Sequence, residues 1–317
     1  MSDTALLSTF IFSLSVTTPI FLMVALGTLL RRLGMIDEAF INTASRLVFN
    51  VGLPVLLFIG SATTDYGAAA DARILLAVLG ATLLIFTLSL LSAGHFVRDR
   101  RDRGVLVQAA FRGNLVIVGL AYCSNAYGES GVAMAALPIA MTILLYNVLS
   151  VYVLNRDLES GRGFHGLFRG LARNPLILGI GAGLLYGSLN LPLADPVRKA
   201  GSYLGNMSLP LALLCVGGSL KLSSLRELGG GALVASGWKL LLCPLIAVGL
   251  AGWLGLSGEA LGVVFLLSAA PTATVSYVMV RGLGGNAQLA ANMVVQSTLF
   301  GLVTVTLGLW LLQAMVQ

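Results

Sequence analysis

Apolar and polar positions in this chain fall into blocks. Long apolar runs, each near the roughly 20 residues that span ~30 Å of hydrocarbon, alternate with short polar connections. Strands of a membrane barrel would be shorter and would alternate residue by residue, so helices fit the pattern. The runs predict ten membrane-spanning helices: Ser8–Leu30, Phe40–Ser61, Ile74–Phe96, Val105–Asn125, Val132–Leu154, Leu176–Leu191, Ser202–Leu220, Ala232–Leu254, Leu261–Val280 and Leu289–Gln313. The first run lacks a basic leading region and is long enough to span, so it is read as a helix and not as a cleaved signal peptide.

Composition agrees. Of 317 residues, 57% are hydrophobic and 10% charged, and the mean hydropathy is +0.93. A soluble domain usually carries about 25% charge. Orientation follows from the basic residues of the connections. One side receives thirteen: Arg31, Arg32, Arg98, Arg100, Arg101, Arg103, Arg156, Arg162, Arg169, Arg173, Lys221, Arg226 and Arg281; the other receives three, Arg73, Arg198 and Lys199. The first side is therefore read as cytoplasmic, with both termini outside. The net charge of +6 is an orientation signal and an attraction to anionic lipid. A nucleic-acid partner is not implied, because these arginines are scattered over separate loops.

Three basic residues, Arg46, Arg112 and Lys239, fall inside spans, whereas every Asp and Glu sits in a loop or at a span end. Arg46 is close enough to a surface to snorkel. Cation antiporters and proton pumps usually hold carboxylates in the membrane. A membrane interior that holds only cations is complementary to an anion.

The chain also matches itself. A shift of 156 residues brings Pro19 onto Pro175, Gly27 onto Gly183, Asn50 onto Asn206 and Pro54 onto Pro210; NVGLPVLL and NMSLPLAL share N-x-x-L-P-x-x-L. One further residue of shift brings Asn114 onto Pro271. Each half then holds five spans. Five is odd, so the second half enters from the opposite side, giving the inverted repeat of many secondary transporters. The expected organisation is a first repeat over residues 1–154, a basic cytoplasmic linker over 155–173 and a second repeat over 174–317.

Asn114 lies about ten residues into the fourth span and Pro271 about ten into the ninth, each about 15 Å deep, near the bilayer midplane. Pro271 removes a backbone donor and Gly113 is permissive, so both helices are expected to break there. Broken helices at that depth are tolerated where they line a cavity or pack in protein, and their half-helix N-termini point positive partial charge at the gap. Arg112 and Asn114 are thus expected beside a substrate cavity. The plainer alternatives are an Arg112 bonded to helix-end carbonyls, an Asn114 that caps a half-helix, a Lys239 that snorkels to the cytoplasmic surface, and a Thr272, Thr274 and Ser276 bonded back to their own helix. Pro54 and Pro210 are read first as simple kinks of their helices and are also marked as helix-break positions.

At these residues the chain resembles the auxin efflux carrier family, which includes plant auxin exporters and bacterial permeases. Arg112, Asn114 and Gly119 fit its fourth-span pattern R-x-N-x-x-x-x-G-x-P, with Ala121 at the final proline. Pro271, Tyr277, Val278, Val280 and Arg281 fit its ninth-span pattern, and NVGLPVLLF in the second span is similar to the family. The resemblance covers the whole chain. It implies an all-α integral membrane protein of ten transmembrane helices in two inverted five-helix repeats, with broken helices four and nine crossing at the site. It implies a scaffold domain of helices one, two, six and seven and a transport domain of three to five and eight to ten. It further implies organic anions as substrates, auxin in plants and malate- or malonate-like acids in bacterial members, and a place in the bacterial inner membrane.

The candidate substrate-binding residues are Arg112, Asn114, Thr272, Thr274, Tyr277, Asn50, Asn206 and Lys239; the helix-break residues are Gly113, Pro271, Pro54 and Pro210. The expected partners are a small organic anion, the bilayer and, as an option the sequence leaves open, a second copy in a homodimer. An enzyme is disfavoured: His95 and His165 have no H-E-x-x-H context, no G-x-S-x-G occurs, and Cys123, Cys215 and Cys243 have no metal spacing. A retinal-type receptor on Lys239 lacks a carboxylate counter-ion. No cofactor or metal is expected. The rival is a sodium-coupled symporter on the same architecture, with the ion held by neutral oxygens.

Overall fold

The computed structural model describes residues 3–63, 71–158, 174–189, 193–220 and 230–316. Most of the expected linker, residues 159–173, and the end of the sixth span at 190–191 lie outside the described residues.

Every regular element among the described residues is helical. In chain order they are α1 (Asp3–Arg32), α2 (Glu38–Leu47), α3 (Leu53–Thr63), α4 (Ala72–Phe96), α5 (Arg100–Phe111), α6 (Leu120–Leu158), α7 (Pro175–Ser188), α8 (Asp195–Ser219), α9 (Gly230–Gly237), α10 (Cys243–Trp253), α11 (Gly258–Ser268), α12 (Thr274–Gly282) and α13 (Ala287–Val316). Single π-helical turns join α2 to α3 (Val48–Gly52), lead into α6 (Leu115–Gly119) and join α9 to α10 (Trp238–Leu242). Among the described residues, seven helical stretches are long and apolar enough to cross a membrane: Leu7–Arg32, Glu38–Ala62, Ala72–Phe96, Leu115–Leu158 (kinked at Gly128), Asp195–Ser219, Gly230–Trp253 and Ala287–Met315. The expected sixth span is the shorter apolar helix α7, and the expected ninth is divided into α11 and α12.

The acids at span ends have a local task. Asp37, Asp71 and Asp99 each sit in extended backbone just before a helix and accept a bond from its first-turn N–H groups. Asn174 does the same for α7, with Pro175 in the first turn. Such caps satisfy donors that have no partner within the helix.

Two of the helix-break expectations are corrected. α8 runs unbroken through Pro210. Pro54 also ends no helix; the π-turn Val48–Gly52 runs directly into α3, and Pro244 follows the turn Trp238–Leu242 in the same way. A proline ring clashes with the carbonyl four residues back. The wider π-turn moves that carbonyl aside, so the helix continues. A true interruption of helical backbone occurs at Gly128, whose φ of 59° and ψ of −138° kink the run of α6. That left-handed backbone suits glycine.

α1 packs along α8, and α3 along α7 and α8, while α4, α5, α6 and α9 to α13 form the remaining body, which α1 and α3 touch through α13 and α6. Small residues bring the backbones together, as is usual between membrane helices. A Cβ on Gly27 of α1 would run into the Leu214 carbonyl of α8, and one on Gly183 of α7 would lie 2.6 Å from the Phe58 carbonyl of α3.

Candidate functional site

α5 ends at Phe111, and Arg112 to Asn114 are non-helical. α11 ends at Ser268, and helix resumes only at Thr274. The two interruptions meet. The Asn114 N–H donates to the Pro271 carbonyl at 2.7 Å, and the Ala273 N–H donates to the Arg112 carbonyl at 3.0 Å. Gly113 and Thr272 face each other in an isolated antiparallel bridge. Two broken helices thus repair part of each other's backbone hydrogen bonding, which lipid could not supply.

Side chains complete the repair. Thr272, 2% exposed, donates its hydroxyl to the Ala109 carbonyl at 2.9 Å, a carbonyl at the end of α5. Its N–H donates to Ser297 Oγ of α13 at 3.0 Å. Thr272 is therefore committed to the crossing and is not bonded back along its own helix.

Both intramembrane cations of the crossing are buried. Arg112 is 6% exposed and Lys239 0%. The Arg112 guanidinium donates to Ser150 Oγ at 3.0 Å and Asn147 Oδ1 at 2.8 Å, both on α6, and lies 5.9 Å from the centre of the Tyr146 ring. Its Nε has no partner. No helix-end carbonyl among the described residues holds it, contrary to the plainer sequence alternative. Lys239 sits in the π-turn between α9 and α10 and does not snorkel: its Nζ donates to the Ser268 carbonyl at 2.8 Å. The carboxylates in ion pairs among the described residues are Asp71, Asp157 and Asp195, paired with Arg73, Arg156 and Arg198. None serves Arg112 or Lys239. A buried charge without a counter-charge costs several kcal/mol.

Asn114 occupies the N-cap position of the run that begins at Leu115; its carbonyl accepts from Val118 and Gly119 at 3.1 and 3.0 Å. Its side chain makes no capping bond. The residue is 7% exposed. Thr274 is the first residue of α12, so a second helix N-terminus opens at the crossing. Tyr277 is half-buried one turn further on, where its hydroxyl accepts from Arg281 at 3.3 Å.

Asn50 and Asn206 are not brought to this place. Asn50 is exposed and donates to the Arg46 carbonyl at 2.8 Å. Asn206 is exposed and lines a cavity of about 280 Å³ with Glu129, Arg198, Lys199 and Tyr203. A larger cavity of about 390 Å³ lies between Phe12, Tyr127 and Leu261. No crossing residue lines either one. Sequence reasoning passed over Asn147, Ser150 and Ser297. The available signal was polar side chains inside apolar spans, with Asn147 and Ser150 three residues apart on one helix face.

Interrupted apolar helices that repair each other around buried cations define a multi-pass membrane transporter. The comparisons with known proteins give the same class. The model of a family described as membrane transport protein matches residues 12–165 and 164–309, and the chain belongs to that family. It is 26% identical over 306 residues to an uncharacterized transporter of Methanothermobacter thermautotrophicus, covering 95% of this chain and 98% of the relative. It is 26% identical over 310 residues to a Rhizobium meliloti protein named "Putative malonate transporter", covering 93% and 94%. An uncharacterized transporter of Methanocaldococcus jannaschii is 21% identical over 300 residues, 92% of this chain and 96% of its own.

Proposed function

We propose that this protein carries a small organic anion, of the short-chain carboxylate class, across the inner membrane by alternating access at the helix crossing. The observation that carries the reading is the pair of buried cations, Arg112 and Lys239, beside two helix N-termini, with no carboxylate among the described residues in an ion pair with either. Helix N-termini favour negative charge, as do buried cations. Asn114 adds an amide whose side chain is not spent on capping. The name of the Rhizobium meliloti relative points to the same chemical class.

Ten spans in two inverted repeats, 1–154 and 174–317 with the linker 155–173 between them, make sense of the packing. Under the shift of 156 residues the contact between Gly27 and Leu214 becomes that between Gly183 and Phe58. The equivalent residues Gly52 and Ser208 touch each other. Asn114 and Pro271, equivalent under a shift of 157, share a hydrogen bond. Contacts that exchange, or fall on themselves, under a sequence shift of 156 or 157 residues are what a pseudo-twofold axis through the molecule produces, and they support the repeat. The two segments matched by the family model also meet at 164–165, inside the linker. In this reading α1, α2, α3, α7 and α8 form the scaffold, the other helices form the transport domain, and both termini face outward.

The test is a thermal-shift screen of the purified protein against mono- and dicarboxylates and organic cations, followed by uptake into proteoliposomes. Carboxylates should raise the melting temperature, and the same compounds should be transported. Stabilisation by organic cations alone would overturn the reading.

A further inference from the structure

Lys239 is placed differently from a ligand-facing lysine. Its side chain is fully buried, and its ammonium is held at the end of one broken helix and against the backbone of the other. Beyond the end of α11, the Ala269 N–H reaches the Phe265 carbonyl and the Ala270 N–H the Leu267 carbonyl, at 2.8 and 3.4 Å. The Ser268 carbonyl takes its bond from Lys239 Nζ at 2.8 Å. On the other side, a Cβ on Gly113 would lie 2.9 Å from the same Nζ. The Cys243 sulfur is 3.6 Å away.

A helix C-terminus carries negative partial charge and carbonyl oxygens without partners. In transporters with broken helices, such half-helix ends and unwound carbonyls are where a coupling metal cation is held. Here a covalently attached ammonium fills that position.

We propose that Lys239 is a resident cation: it takes the place of a coupling sodium ion at the crossing, so anion binding and transport need no metal cation. The ammonium sits where a hard monovalent cation would find backbone oxygen. It is bonded to the end of one interrupted segment and leaves no room for a side chain on Gly113 of the other, so it ties the crossing together as an ion bound there would. Its charge, with that of Arg112, stays in the protein during the cycle, so the bound anion is partly neutralised without a co-transported ion. The inference rests on the anion reading for the sign of the ligand, but not for the role of Lys239 in the fold.

Two measurements separate those dependencies. In the first, no anion is used. Thermal unfolding of Lys239→Ala is followed in choline chloride, sodium chloride and propylammonium chloride; propylammonium replaces the three methylenes and the nitrogen that the substitution removes. The melting temperature should fall in choline and recover in propylammonium or sodium, while wild type is indifferent to the three salts. Equal loss in all three salts would overturn the resident-cation role, whatever the substrate is.

In the second, the strongest carboxylate from the thermal-shift screen is the probe, with malonate as the starting compound. Wild type should bind it and transport it equally in sodium and choline. Lys239→Met, which keeps the side chain's length without its charge, should bind at least tenfold more weakly in both. A wild type that binds only in sodium, or a Lys239→Met that binds like wild type, would overturn the proposal. Failure of every carboxylate to bind wild type would instead sink the anion reading and leave the first measurement to decide Lys239.

Discussion

Thr272, a member of the bridge, and Arg112, next to its other member Gly113, divide the labour. Thr272 spends both its hydroxyl and its N–H on the crossing, on Ala109 and Ser297. Thr272→Val would leave the Ala109 carbonyl without that donor in a buried place. An orphaned buried acceptor costs about 1–3 kcal/mol, so this variant should melt earlier in a thermal scan. Arg112 keeps an unpartnered Nε beside its bonds to Asn147 and Ser150. Arg112→Gln should weaken carboxylate binding at least tenfold, about 1.4 kcal/mol, in a variant that still purifies as a folded protein. Unchanged affinity in calorimetry would return Arg112 to a structural role. Asn114→Ala should reduce affinity with little change in melting temperature, because its side chain makes no capping bond that folding would lose.

Between helices, close packing sets the tolerance. Gly27 lies against the backbone of α8 with no room for a Cβ, whereas Gly181 of α7 has nothing within 4 Å of such an atom. Gly27→Ala should therefore push α1 and α8 apart and lower the melting temperature, by an overpacking cost of about 1–3 kcal/mol. Gly181→Ala should be neutral or stabilising by up to about 1 kcal/mol, since alanine is the better helix former. If the two variants melt alike, close packing of α1 on α8 is not what holds them. Pro271 acts on the same scale. Its carbonyl accepts the bond from Asn114, and its missing donor helps keep the interval from Ala269 to Ala273 out of helix. Pro271→Ala should let α11 and α12 approach continuity, slowing uptake more than it weakens binding.

For the molecule as a whole, the proposed alternating access requires the proposed scaffold and transport domains to move against each other. Gly60 of α3 and Val132 of α6 meet across that boundary, with a Cβ on Gly60 only 3.2 Å from Val132. A cysteine pair at Gly60 and Val132, once oxidised, should abolish uptake into proteoliposomes and leave carboxylate binding measurable; full transport by the cross-linked protein would exclude motion at this boundary. Topology is tested separately. Cys123, Cys215 and Cys243 are buried, so background labelling should be low. Cysteines introduced at Ser2 and Gln317 should react with an impermeant maleimide on intact cells, and protection of either would contradict the outward placement of the termini.

The amino-acid order determined what the bilayer enforces directly. Apolar runs, basic connections and the banishment of acids to span ends are readable along the chain, because lipid acts on each segment by itself. The places of the two breaks were also legible, since Gly113 and Pro271 disrupt a helix locally. Only the tertiary structure decided what each polar side chain touches. Arg112 meets residues 35 and 38 positions away, and Lys239 a carbonyl 29 positions away. No periodicity encodes those partners. Asn50 and Asn206 stand out in the sequence because a shift of 156 residues brings one onto the other, yet both are exposed away from the crossing bonds. A sequence shift only pairs positions along the chain. Whether they meet a ligand depends on how the helices turn when they pack, and that is settled by close contacts such as those of Gly27 and Gly183, which the local sequence does not contain.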